Sequence, residues 1–179
     1  MIVRRERQAD HAAVRALHIA AFTRDPVSGA VRTPDDVLEA RLVDELREDA
    51  GFLPHLSLVA VDGDGDVVIG HVIATRGWLE PFGTPTLGLG PLGVTPGRQG
   101  EGTGTALVHA LLAVAEAAGE PLVALLGAPA YYRRFGFVRS TRLGVTPPDP
   151  DWGEYFQARQ LAGLPVEGTF RYADPFSLL

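Results

Sequence analysis

Between Gln99 and Thr105 the chain reads QGEGTGT, with glycine at 100, 102 and 104, and it runs straight into the apolar, alanine-rich stretch 106–114. Glycine lets a backbone turn tightly or lie against something close. A helix that starts here offers N–H groups with no partner inside the helix, and such groups attract anions. The stretch therefore has the makings of a phosphate cradle built from main chain.

What it can hold is narrowed by what is absent. All 16 basic residues are Arg, and the 179 residues include no Lys, no Asn and no Cys. Without Lys there is no Schiff-base chemistry and no phosphate loop ending in Gly-Lys-Ser/Thr. Without Cys there is no thiol nucleophile, thiolate metal site or disulfide. A dinucleotide fingerprint, G-x-G-x-x-G/A, fails at its sixth position, where Thr105 stands. The next apolar run, Pro121–Ala128, also ends without the carboxylate that would bind a ribose. The acyl-CoA pyrophosphate pattern, Q/R-x-x-G-x-G/A, is met by Gln99, Gly102 and Gly104. On that pattern the amides from Gly100 to Thr105 point at two phosphates. A glycine-rich strand-to-helix turn without a ligand accounts for the spacing too.

Groups able to move a proton are fewer. Glu39, Asp44 and Glu45 lie in EARLVDELRED, His71 in VVIGHVIA, and Glu80 two residues after Trp78. Each can act as a general base. A solvated helix face explains the three carboxylates equally well, and an ordinary sheet residue explains the histidine.

These groups need a frame. Residues 2–7 read as an edge strand, and Asp10 as the cap of a helix with Ala13, Val14, Leu17, Ala20 and Ala21 at helical spacing. Residues 23–36, rich in Pro, Gly and Asp, form a loop, with Thr33 capping a second helix that has Pro34 in its first turn and ends near Asp49. LSLVAVD, GDG and DVVIGHVIATRGWL make a strand, a turn and a strand, an antiparallel hairpin followed by a third strand over 86–94. The helix after the glycine loop runs to about Ala118, with Ala106, Leu107, Ala110, Leu111, Val114 and Ala118 as its buried stripe. Residues 121–128 are a buried central strand parallel to the one before that helix. A short helix over 129–135 and strands at FGFVRS and EYFQARQL complete the chain, with TPPDPDWG as a loop between the two strands. The expected fold class is α/β (α+β), one domain over 1–179 with hairpins first and one β-α-β unit late.

The formal charge of −6 argues against a nucleic-acid partner. No uncharged apolar stretch reaches the ~20 residues of a membrane span, and MIVRRERQADH has no apolar signal core, so a cytoplasmic protein is expected.

Together, LGPLGVTPGRQGEGTGTALV and LGAPAYYRRFGF resemble the GNAT superfamily of N-acetyltransferases. With EARLVDELR, SLVAVDGDGDVVIGHV and GTFRYADPF they resemble its YhbS-like branch closely, so the likeness spans nearly the whole chain. The resemblance implies a mixed, mostly antiparallel sheet splayed at its centre. Acetyl-CoA, the implied acyl donor, enters between the strand ending at Val94 and the one ending near Ala128. It further implies that Leu92, Gly93 and Val94 pair with the pantetheine amides, and that Gln99, Gly100, Glu101, Gly102, Thr103, Gly104 and Thr105 hold the pyrophosphate. A backbone N–H near Leu92 would stabilise the oxyanion. Tyr132 would protonate the departing thiolate. Tyr131, pointing about 100° away, is expected to pack.

Two departures stand out. The Asn that many relatives place after the central strand is replaced by Gly127-Ala128-Pro129, and strand 86–94 has no carboxylate, so the base is unassigned. The expected reaction is acetyl transfer to an amine of a small molecule or protein, by direct attack in a ternary complex and without a metal. A non-catalytic acyl-CoA sensor, or an acyltransferase using longer acyl-CoA or acyl-ACP, is the alternative. A homodimer is compatible with either.

Overall fold

The structure, a computed structural model, describes residues 1–24, 29–63 and 67–178. Its strands are β1 (Ile2–Arg5), β2 (Ser57–Asp62), β3 (Val67–Glu80), β4 (Thr84–Val94), β5 (Leu122–Leu126), β6 (Val138–Arg139), β7 (Val145–Thr146), β8 (Phe156–Gln160) and β9 (Gly168–Arg171). Its α-helices are α1 (His11–Phe22), α2 (Leu38–Glu48), α3 (Thr103–Ala117) and α4 (Pro129–Tyr132). The strands form one sheet in the order β1-β2-β3-β4-β5-β8-β6, with β9 paired to both β3 and β7. Only β4 with β5 and β7 with β9 run parallel among the described pairs. The mixed, mostly antiparallel sheet is the expected one.

Both faces of the sheet are covered, which explains why β2 shows no polar alternation. Leu58 and Ala60 pack with Leu107, Val108 and Leu111 of α3. Val59 and Val61, pointing the opposite way, pack with Val14 of α1 and Leu42, Val43 and Leu46 of α2. A third cluster joins Leu79, Leu122, Phe156 and Phe170 in the C-terminal half.

Several local expectations are corrected. Asp10 does not cap α1; its carboxylate reaches back to the Arg7 N–H at 2.7 Å and to Arg4. Ala13 and Ala20 are exposed, and α1 buries Val14, Leu17 and His18. Residues Pro34–Asp36 form a separate 3-10 turn, and the extended backbone of Val37 delays α2 to Leu38. On α3 the buried stripe is rotated, with Val108, Leu112 and Ala115 joining Leu107 and Leu111, while Ala118 is exposed. Burying Val and Leu removes more apolar area from water than burying the alanines beside them. The stretch around TPPDPDWG contains the end of β7 and a 3-10 turn, Pro150–Tyr155. Residues 64–66 of the expected hairpin turn and 25–28 of the expected loop lie outside the described residues.

The feature that positions the site is an opening in the sheet. Strands β4 and β5 pair only at Leu87 with Val123 and Gly88 with Ala124. Beyond Gly88, β4 continues to Val94 along β3 while β5 stays with β8.

Candidate active site

Along the opening, the backbone of β4 faces two ways. The Thr95 N–H donates to the Ile69 carbonyl at 3.0 Å. Antiparallel ladders alternate, so the pair Gly93 and His71 is hydrogen-bonded, and the N–H and C=O groups of Leu92 and Val94 turn away from β3, toward the opening. An extra residue in β4 around Gly90-Pro91 bulges the strand just before Leu92. Gly93 itself is pressed against α1. A Cβ there would lie 2.8 Å from Leu17 Cδ2 and 2.9 Å from the His18 ring.

The glycine loop follows at once. Gly100 (φ +83) and Gly102 (φ +90) occupy the left-handed region, with Gly102 at the helix cap. The first bond inside α3 runs from the Ala106 N–H to the Gly102 carbonyl at 2.9 Å, so the amides of Thr103, Gly104 and Thr105 have no helical acceptor. Gln99 Nε2 donates to the Val94 carbonyl at 3.1 Å and ties the loop to the strand. A cavity of about 410 Å³ opens here, and its lining includes Leu92, Val94, Gln99, Gly100, Gly102, Gly104 and Thr105.

Three other residues expected at this site are not in the lining. Gly93 is turned to α1, and buried Thr103 sits over Gly70. The Glu101 carboxylate accepts from Arg98 Nε at 2.7 Å. Arg98, Tyr131 and Arg134, which the sequence did not single out for this role, complete the lining. Arg98 is also paired with Asp62, whereas Arg134 makes no ion pair among the described residues and lies over the Tyr131 ring at 4.9 Å. Tyr131 does more than pack. It lines the cavity, and a Cβ on Gly104 would lie 2.8 Å from its hydroxyl.

A second cavity of about 450 Å³ shares Leu92 with the first and lies in the opening itself, with Glu39, Leu89, Gly127, Tyr132, Trp152 and Tyr172 in its lining. Burial, reinforced by Tyr131, pushes the Tyr132 phenol well above the ordinary range, so it stays protonated. Tyr132 packs edge-on against Phe137 and lies over Gly127, where a Cβ would meet its ring at 2.4 Å. Burial also raises the Tyr172 phenol. At Gly127-Ala128-Pro129, where the family resemblance implied an Asn, Gln157 Nε2 from β8 donates to the Gly127 carbonyl at 2.8 Å, and the Gly127 N–H donates to the Tyr155 carbonyl at 2.9 Å.

Of the candidate bases, only Glu39 lines this cavity, and Arg32 Nη1 binds both of its oxygens at 3.1 Å. Asp44 pairs with Arg15 and Arg47, and Glu45 with Arg41, on the outer side of α2. Glu80 pairs with Arg171 at 3.0 Å. His71 is fully buried in a hydrogen-bonded chain behind Gly93. There, Arg47 holds Glu6 at 2.5 Å, Ser57 Oγ donates to Glu6 at 2.6 Å, His71 Nε2 meets Ser57 Oγ at 3.1 Å, and His18 Nε2 meets His71 Nδ1 at 2.9 Å. A carboxylate only accepts, so the direction is fixed. Ser57 accepts from His71 Nε2–H, His71 Nδ1 accepts from His18 Nε2–H, and His18 Nδ1 is a bare, buried lone pair. Burial holds His18 well below the usual histidine range and lowers His71 as well. Burial pushes the Glu6 carboxyl up, but His71, Arg47 and Ser57 outweigh it and hold it well below the carboxylate range.

Among the described residues no helix is long and apolar enough to cross a membrane, and no group of three His, Cys, Asp or Glu is placed to hold a metal ion.

The sequence matches the acetyltransferase (GNAT) family over residues 14–137. It is 36% identical over 131 residues to the uncharacterized N-acetyltransferase YhbS of Escherichia coli (strain K12), covering 73% of this chain and 77% of that protein. The crystal structure of the E. coli YhbS protein in complex with CoA matches with a TM-score of 0.83 at 31% identity, over 98% of this chain and 91% of that one. A GNAT family acetyltransferase from Brucella melitensis in complex with acetyl-CoA matches with a TM-score of 0.74 at 35% identity, over 98% and 97% of the two chains.

Proposed function

The chain belongs to the GNAT acetyltransferase family, and on that premise we propose that it transfers an acetyl group from acetyl-CoA to an amine by direct attack in a ternary complex. The observation that carries this is the meeting of two cavities at Leu92. One is fronted by the unpaired amides of Thr103–Thr105, and the other lies in the opening between β4 and β5. The solved relatives that bind CoA and acetyl-CoA support the identity of the donor.

Each part of the site has a role in this reaction. The amides at the start of α3 take the pyrophosphate, with Arg134 adding charge from the opposite wall. The outward groups of Leu92 and the Val94 N–H pair with the pantetheine arm as a neighbouring strand would, the Val94 carbonyl being held by Gln99. The amine attacks the thioester carbonyl, negative charge develops on its oxygen, and the Leu92 N–H stabilises it. The carbon–sulfur bond then breaks, the Tyr132 hydroxyl gives its proton to the thiolate, and the acylated nitrogen loses its extra proton, which restores the tyrosine. A phenol kept neutral by burial is a donor throughout the physiological pH range. The thiolate, formed in the same dry surroundings, is the stronger for lacking water. With no Cys in the chain, no acyl-cysteine intermediate competes with direct attack.

Melting the protein with and without acetyl-CoA tests the donor. A ligand at 100 times its Kd stabilises by about 2.7 kcal/mol. Release of free thiol in the presence of amines tests the transfer. Absence of a shift with any CoA ester overturns the proposal, and a shift without thiol release leaves a binding domain in its place.

A further inference from the structure

The second cavity has a composition that selects its occupant. Phe22, Trp152, Tyr172 and Phe176 wall it, and they come from α1, the turn before β8, the segment after β9 and the C-terminal turn. These rings are fixed against one another. Tyr172 and Phe176 have centroids 4.3 Å apart, and Trp152 lies 6.3 Å from Tyr172 and 5.7 Å from Phe156. Trp152 belongs to the TPPDPDWG stretch, which the sequence left as an unread loop. Against these walls stands a single charged residue among the described lining residues, Glu39. Arg32 uses one nitrogen on its two oxygens and so orients the carboxylate, while lone pairs remain for another donor.

Resting on the acetyl transfer proposed above, we infer that the acceptor is a compact monoamine with an aromatic or branched apolar body, its ammonium directed to Glu39 and its body laid against the aromatic walls. An aromatic face attracts an ammonium and also buries an apolar body. A volume of about 450 Å³ is small for a ligand site and must also admit the acetyl end of the donor. Polyamines fit poorly, because a second ammonium would be desolvated with no second carboxylate among the described lining residues. Hydroxylated amines fit poorly for the same reason, since apolar walls leave their hydroxyls without partners. Once the amine has lost its proton to solvent or to Glu39, its nitrogen can turn to the thioester at Leu92, the residue that the two cavities share.

The test compares thiol release with 2-phenylethylamine, 3-methylbutylamine, spermidine, a lysine-containing peptide and a peptide with an N-terminal Phe, alongside the acetyl-CoA melting shift. The expected result is a kcat/KM for the two monoamines at least tenfold above the other three. Trp152→Ala should raise KM for 2-phenylethylamine about tenfold more than for spermidine, and Glu39→Gln should raise KM for both monoamines. Neither should change the acetyl-CoA melting shift. Preference for spermidine or for either peptide overturns the inference, as does a KM for 2-phenylethylamine that neither substitution moves. A normal melting shift with no turnover of any amine overturns the acceptor class while the donor stands. A missing shift instead fails the transfer reaction itself.

Discussion

Acidification from pH 7.5 to 5.5 should destabilise this protein by an amount set by the histidines behind Gly93. His18 and His71 are fully buried and held neutral, whereas in the unfolded chain a histidine takes up a proton below pH ~6.5. The folded state therefore binds fewer protons than the unfolded state in this range, and stability rises with pH. Each histidine that stays neutral costs about 1.4 kcal/mol per pH unit below that value. His18 alone then removes about 1.4 kcal/mol at pH 5.5, and the pair removes up to about 2.8 kcal/mol. Against a typical total of 5–15 kcal/mol, about 2 kcal/mol is plain in a urea midpoint. Glu6 acts in a lower window. As pH falls through its ordinary value of 4.5, the unfolded carboxyl takes a proton that the folded one refuses, and a second loss follows. His18→Gln isolates the first step, because the Gln amide can donate to His71 Nδ1 but does not titrate. It should keep stability near wild type at pH 7.5 and lose about 1.4 kcal/mol less on going to pH 5.5. A wild-type midpoint that is flat over this range, or a Gln variant with the wild-type slope, refutes the reasoning.

Gly102→Ala meets no atom within 4 Å, so its effect comes from the backbone alone. Holding alanine at φ +90 should cost about 1–2 kcal/mol in urea unfolding and raise the Kd for CoA, measured by calorimetry. Gly93→Ala instead drives a methyl into Leu17 and His18, and should cost about 1–3 kcal/mol by overpacking, read as a lowered melting temperature. Tyr132→Phe should lower kcat by about 100-fold or more while the KM for acetyl-CoA changes little, and undiminished kcat removes the hydroxyl from the acid role.

The glycine loop of the candidate site was legible as a structural element because it is local. Seven consecutive residues, 99–105, contain the loop, and the strand and helix on either side can be read from periodicity. The crossover between β4 and β5 was legible for the same reason, since a parallel pair flanking one helix needs little other information. The second cavity was not, because Phe22, Glu39, Trp152, Tyr172 and Phe176 lie far apart in sequence and meet only through the fold. The rotated stripe of α3 was missed because both faces of that helix are apolar, and spacing alone does not choose between Ala106 and Val108. The histidine chain gave no signal at all. Glu6, His18, Ser57 and His71 sit on four elements, and nothing in any one segment marks the others as partners.

The opening between β4 and β5 also leaves a bare strand edge inside the sheet. An exposed edge invites any extended chain to pair with it, including another copy of the same protein. Here the invitation is short. Pro91 has no N–H to offer, the bulge at Gly90-Pro91 breaks the register, and the Val94 carbonyl is already taken by Gln99. Only a few main-chain groups are left for a guest, about the reach of a ligand arm and too few to template a strand. A slot this short thus guards the sheet against edge-to-edge aggregation, and it leaves room for the short extended arm of the donor proposed above.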